Sequence, residues 1–296
     1  MNYQRSRLAL VSRRLGVISV FIIVLAILGR HWEYITPKIL LDLVIGASII
    51  AIIAGLVAFA AGIRLWYAGG RGFTNAFMGF AYALLTLCLP VGTLIYMRQY
   101  PNINDVSTDL ATPPSVVTPM GAYHALTLEH AVLQRTHYPD IVPRRFRISP
   151  YQLHAAALEV GDELGWALQA ELPVDLSVTP SSMGFEVITP VFSFHDYVTI
   201  RIQPDKMGSL IDIRSKSGFG SHDLGANAAR IRDFWEELDT VLIKSYGIKG
   251  EEDLSKSYLQ ETGDSFMLEP TKNGKGAVNS QPKEEVPLPS LKPSQQ

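Results

Sequence analysis

Asp212-Ile213-Arg214-Ser215-Lys216-Ser217-Gly218-Phe219-Gly220-Ser221-His222-Asp223 gathers carboxylates, cations, hydroxyls, an imidazole and two glycines in one run. A strand that passes through a glycine loop into a helix can cradle a phosphate, because loop amides and the positive end of the helix dipole face the anion. This run argues against that use. Asp223 stands where the third glycine of the dinucleotide pattern belongs, no Gly-Lys-Ser/Thr follows, and the Asp223 carboxylate itself sits at the positive helix end. Nucleophilic chemistry has no better support: there is no Gly-x-Ser-x-Gly elbow, and no pattern assigns His195 or His222 as a base to Ser215 or Ser217.

The alternation of residue types does support a polar face. A period of two puts Arg201, Asp212 and Arg214 on one side of two neighbouring strands, and the chain then turns into a helix bearing Asp223, Asn227 and Arg230. Together with Ser215 these residues are the candidate site. They are expected to form one connected surface that either binds a ligand or ties the helix to the sheet. No catalytic residue and no cofactor is indicated.

A secondary polar patch lies at Asn104, Asp105, Thr108 and Asp109. Such side chains can bond their own backbone in a capped turn, or offer oxygens to a cation or a sugar hydroxyl. The spacing lacks the alternation and the glycine of an EF-hand loop. His124, His130 and His137 lack the four-residue helical spacing that sets two imidazoles on one face. The single cysteine, Cys88, excludes an intramolecular disulfide and a thiolate zinc site, and no metal is expected.

These residues need elements to hold them. Leu153, Ala157, Val160, Leu164 and Leu168 recur at helical spacing, predicting an amphipathic helix over Tyr151 to Leu168. Val174, Leu176 and Val178 alternate as a short strand, Pro180 to Gly184 reads as a turn, and a second strand runs from Phe185 to about Val191. Val198, Ile200 and Ile202 must share a buried face with Ser209, Ile211 and Ile213. A four-residue loop at Pro204-Asp205-Lys206-Met207 sets Ile200 opposite Ile211 and Arg201 diagonal to Asp212. Ser221 or Asp223 caps a last helix with Leu224, Ala228, Ile231, Trp235, Leu238 and Leu242 on one stripe. The fold class is α+β: a two-layer antiparallel sheet of about four strands flanked by two helices on one face. It follows a proline-punctuated stretch from Pro101 to Pro150 that has room for a short helix between Gly121 and Thr136.

Ahead of this domain, apolar runs at about residues 8–32, 39–63 and 73–97 are each long enough to span a bilayer, making residues 1–100 a membrane domain. Arg5, Arg7, Arg13, Arg14, Arg64 and Arg71 fall on one side, against Arg30, Lys38 and Arg98 on the other. That asymmetry predicts a cytoplasmic amino terminus and an extracytoplasmic domain over 101–250, periplasmic in a bacterial inner membrane. Ala47, Ala51 and Gly55, with Ala54, Ala58 and Gly62 beside them, allow close helix approach, within the chain or in a homo-oligomer through the second span. Residues 251–296 are rich in Pro, Lys, Ser, Gln and Glu and are expected as a disordered tail. A net charge of −2 gives no reason to expect nucleic acid as a partner.

The chain resembles the bacterial domain of unknown function 1499 over about Pro101 to Tyr246. The resemblance rests on Asn104 to Asp109, Pro113-Pro114, Tyr138-Pro139-Asp140-Ile141 and Gly165-Trp166. It rests most on Asp196-Tyr197-Val198-Thr199-Ile200-Arg201, Asp212 to Ser217 and Asp223 to Ile231. Where that family usually carries an arginine after the second serine this sequence has Gly218, and His195 replaces the first of two aspartates before the strand. The resemblance implies a shared fold and an envelope setting, and carries no reaction. The sequence therefore predicts an inner-membrane protein, in contact with membrane lipid, whose outer domain binds an envelope ligand or a protein partner. An extracytoplasmic enzyme and a purely structural subunit of a membrane complex are the alternatives.

Overall fold

The computed structural model describes residues 6–118, 121–123, 125–174 and 180–246. Three helices come first: α1 (Arg7–His31), α2 (Pro37–Ala68) and α3 (Phe73–Met97), each long and apolar enough to cross a membrane. Ser6 caps α1 by accepting from the Ala9 amide, and Thr36 caps α2 ahead of Pro37, which suits the first helical turn. Pro90 is accommodated inside α3.

Small residues set the helix spacing. Ala47, Ala51, Ala54, Ala58 and Ala61 are buried on α2, so the alanines of both four-residue rows seen in the sequence feed one intramolecular seam. The tightest crossing is between α1 and α3. A Cβ added at Gly79 would lie 2.6 Å from Ser12 Oγ and 2.7 Å from the Ser12 carbonyl carbon, so only glycine fits there. Two turns on, Ser19 and Thr86 share a buried 2.9 Å hydrogen bond between the same helices, a contact favoured where water is absent.

The remainder runs β1 (Asp105–Ser107), β2 (Val116–Thr118), β3 (Gly121–Tyr123), α4 (Leu128–His137), β4 (Arg144–Phe146), α5 (Pro150–Glu163), β5 (Ala167–Leu172), β6 (Ser181–Ile188), β7 (His195–Asp205), β8 (Gly208–Ser217) and α6 (Ala226–Tyr246). The main sheet is antiparallel in the order β1-β8-β7-β6-β5, with β4 pairing β8 beside β1. It has six strands where about four were expected, because the three-residue strands β1 and β4 are too short to show a period. Helices α5 and α6 cover one face. Leu153, Ala157 and Val160 of α5 and Ile231, Phe234 and Leu238 of α6 close over Ile200, Ile202, Ile211 and Ile213.

Several local expectations change. The α5 helix stops at Glu163, because Gly165 takes φ +68° and closes the helix end, and Leu168 belongs to β5. Ser181 to Gly184 opens β6 and is not a turn. The alternating stretch at Val174 to Val178 falls largely on residues outside those described. The β7–β8 hairpin is tighter than expected: Asp205 pairs Gly208 around Lys206-Met207, so Ile200 faces Ile213 and Arg201 faces Asp212 directly. The shift is two residues, which preserves every face. Gly208 is held by β4, since a Cβ there would meet the Phe146 carbonyl oxygen at 2.1 Å. Leu224, placed on the helix stripe by its spacing, precedes α6 in a turn with φ +57°.

The domain is fastened to the helix ends. Ser193 Oγ donates to the His31 carbonyl at 3.0 Å, and buried Arg30 donates to the Ser193 and Ile35 carbonyls. His195 lies 3.3 Å from Glu33 and 2.7 Å from Glu186. At the end of α3, His222 Nε2 is 3.1 Å from the Met97 carbonyl oxygen, and Gly225 leaves room for the Tyr100 ring.

Candidate functional site

The seven residues expected as one surface form two clusters on opposite faces of the sheet. Arg201, Asp212 and Arg214 lie on the face away from the helices. Ser215 has the parity of the isoleucines and points with them towards α6, where Asn227 and Arg230 meet it. One residue along a strand reverses the face, so Arg214 and Ser215 could not have shared a side.

The first cluster is covered. Residues 108–118 and the strand β3 lie against β7 and β8, and Arg214 is completely buried. Arg214 binds Asp105 through Nε to Oδ1 and Nη2 to Oδ2, both 2.9 Å, and Nη1 donates to the carbonyls of Pro114 at 2.8 Å and Tyr123 at 3.0 Å. Lys216 reaches the same carboxylate at 3.3 Å and stands 4.4 Å over the Tyr123 ring. Arg201 bridges Asp212 at 2.8 Å and Asp109 at 2.9 Å, and donates to the Thr112 carbonyl. Burial pushes the Asp212 carboxyl above its ordinary value although Arg201 opposes it. Burial also acts upward on Asp109. There the hydrogen bonds from the Thr112 hydroxyl and amide, the Ala111 amide and Arg201 prevail and hold the carboxyl down.

The second cluster sits where the sheet meets the start of α6. Ser215 Oγ donates to Asn227 Oδ1 at 2.7 Å, and Asn227 Nδ2 donates to Ser217 Oγ and to the Asn104 carbonyl. Arg230 joins Ser215, Asn227 and Asp196, the last at 2.8 Å. Asp223 caps the helix entry by accepting from the Gly225 and Asn227 amides. Burial raises the Asp196 carboxyl, against the pull of Arg230 and of the Gly218 amide. Asp196 and Ser217 are members that the sequence reading left out. Their even and odd positions, matching Val198 and Ile213, were the available signal.

The secondary patch divides as well. Asn104 belongs to the helix-side cluster, Asp105 to Arg214, Thr108 accepts the Ile213 amide, and Asp109 caps its own turn while holding Arg201. The four side chains do not converge on one point.

The family model described as "Protein of unknown function (DUF1499)" matches residues 105–238. These residues are a DUF1499 domain. Both clusters fall inside it, apart from Asn104. A search of curated proteins gives no match. Among solved structures, the X-ray crystal structure of protein MLL2253 from Mesorhizobium loti is similar at 15% identity and a TM-score of 0.27, over 35% of this chain and 96% of that one.

The DUF1499 domain has further polar groupings. Gln134 of α4 uses its amide as a peptide would: Oε1 accepts the Ser107 amide at 3.0 Å and Nε2 donates to the Ser107 carbonyl at 2.6 Å, closing the open edge of β1. Ser181, His154 and Glu171 form a hydrogen-bonded chain, with Nδ1 3.2 Å from the serine and Nε2 2.8 Å from the carboxylate. Ser181 is only 1% exposed and faces the core, so the chain links α5 to β5 and β6. His130 and His137 sit on α4, and His124 lies outside the described residues. Among the described residues no group of three or more His, Cys, Asp or Glu is placed to hold a metal ion. A cleft of about 250 Å³ opens between α4 and the Thr108–Ala111 turn, walled by Leu110, Ile141 and Val142, with Tyr138 and Arg135 in its lining. The Tyr138 hydroxyl is buried and finds no hydrogen-bond partner among the described residues, and burial pushes its pKa up to about 12.

Proposed function

We propose that this chain is a membrane-tethered binding protein of a bacterial inner membrane, with its amino terminus in the cytoplasm and the DUF1499 domain in the periplasm. The basic residues flanking the three long apolar helices support the orientation. Binding is favoured over catalysis by one observation: the charges of both clusters are spent on each other, while the cleft beside α4 stays open. Its walls are mostly apolar; of the two charged side chains in its lining, Asp109 is paired with Arg201, and Arg135 has no ion-pair partner among the described residues. That lining suits a small envelope ligand with an apolar body and an anionic end, or a partner side chain of that kind. Phosphatase and fluorescent-protein fusions after Gly250 test the orientation, and activity of the cytoplasmic reporter alone refutes it. Thermal-shift titration of the full chain with lipids, cell-wall fragments and small carboxylates tests the cleft. A ligand that raises the melting temperature should lose that effect in Arg135→Ala, with the ligand-free protein unchanged.

The enzyme reading has the Ser181–His154–Glu171 chain in its favour, since a hydroxyl, an imidazole and a carboxylate in hydrogen-bonded order can activate a nucleophile. A fluorophosphonate probe decides it. Labelling that disappears in Ser181→Ala replaces the binding reading with a hydrolase.

A further inference from the structure

We propose that the loops 189–194 and 218–222 form a lipid-contact edge, through which Val191, Phe192 and Phe219 enter the headgroup layer of the bilayer that the three helices cross. The height of these loops follows from their fastenings. A helix of 25 residues such as α1 or α3 rises about 37 Å, enough to cross the hydrocarbon core and end among the headgroups. Ser193 bonds the carbonyl of His31, the last residue of α1, and His222 meets that of Met97, the last residue of α3. Both loops therefore lie at the level where the helices leave the hydrocarbon.

The chemistry at that level is what an interface selects. Phe192 and Phe194 stack with centroids 5.6 Å apart, Phe219 lies 5.9 Å from Phe194, and the Arg30 guanidinium stands 5.7 Å from the Phe194 ring. Val191 remains 57% exposed, and Trp32, in the adjoining turn between α1 and α2, 60%. Aromatic rings and an apolar loop tip beside a buried cation are costly in water and favourable between headgroups and acyl chains. The first loop is also held stiff: the Thr189 amide donates to the Phe194 carbonyl, and Thr189 Oγ1 accepts the Phe194 amide, both at 2.9 Å. The edge is built into the domain and does not depend on which side of the membrane the domain occupies.

The far end of the same strands supplies the control. From His195 to Asp205 β7 is eleven residues long, about 33 Å end to end at the rise of a strand, and it ends at the exposed Met207 turn. In full-length protein carrying Cys88→Ala, a single cysteine is introduced by Val191→Cys or Met207→Cys and labelled with an environment-sensitive fluorophore in lipid nanodiscs. The Val191→Cys label should emit to the blue and be quenched by lipids carrying a nitroxide near the glycerol, and the Met207→Cys label should show neither effect. Ile188→Cys, exposed at the end of β6 beside the same loop, serves as a second probe should Val191→Cys destabilise the fold. No quenching at either membrane-end position overturns the proposal. A blue shift without quenching also overturns it, since protein and not lipid then covers the loop. Neither result bears on the ligand cleft or on the orientation.

Discussion

Arg214 and Asp105, 109 residues apart in the chain, meet as a two-pronged pair with both contacts at 2.9 Å, and the arginine is wholly buried. Two further carbonyls, of Pro114 and Tyr123, satisfy its Nη1, so the arginine holds both of those stretches against the sheet. Removing one partner leaves an uncompensated charge in a dry site. Asp105→Ala should therefore destabilise the protein by about 3 to 5 kcal/mol. Replacing both partners by apolar residues should recover much of that loss. Thermal melts of the single and double variants check this, and equal losses in both would show that those stretches, and not the charge, dominate.

Gln134 should behave as a missing strand. Gln134→Ala leaves the buried Ser107 amide and carbonyl unpaired and should cost roughly 1 to 3 kcal/mol. Hydrogen exchange at the Ser107 amide should quicken more than at amides of β7. Unchanged exchange there would show that water takes the place of the glutamine.

The α1–α3 crossing predicts a position-specific effect of size. Gly79→Leu must push Ser12 aside and should lower the melting temperature of the full chain in nanodiscs. Gly62→Leu, where a Cβ would meet nothing within 4 Å, should leave it unchanged. If Gly62→Leu instead changes the oligomeric state, α2 packs against a second copy as well as within the chain.

Asp212 gives a pH signature. Its carboxyl is raised in the folded protein, so the stability tied to its proton is fully present below the unfolded value near 3.8 and is lost as the pH rises through the folded value. Asp212→Asn mimics the protonated state at every pH. Wild type should therefore gain stability relative to Asp212→Asn as the pH falls from 7 to 4. The opposite slope, read from melting curves, would mean that Arg201 outweighs burial at this carboxylate.

The three long apolar helices and the α+β class were legible in the sequence because each depends on local pattern: apolar runs of bilayer length, a period of two in β7 and β8, a helical stripe in α6. The DUF1499 domain was legible through its motifs, Asp223 to Ile231 above all. Parity alone also determined that Arg201, Asp212 and Arg214 share a face opposite to Ile211 and Ile213, and that survived a two-residue error in register. Only the tertiary structure decided what covers that face. Asp105, Pro114 and Tyr123 reach Arg214 across about a hundred residues of chain, and no periodicity encodes a closure of that length. The same holds for Gln134 at the β1 edge and for the division of the candidate site into two clusters. Strand alternation fixes the side on which a residue stands, whereas the segment that folds over it is selected by the packing of the whole domain.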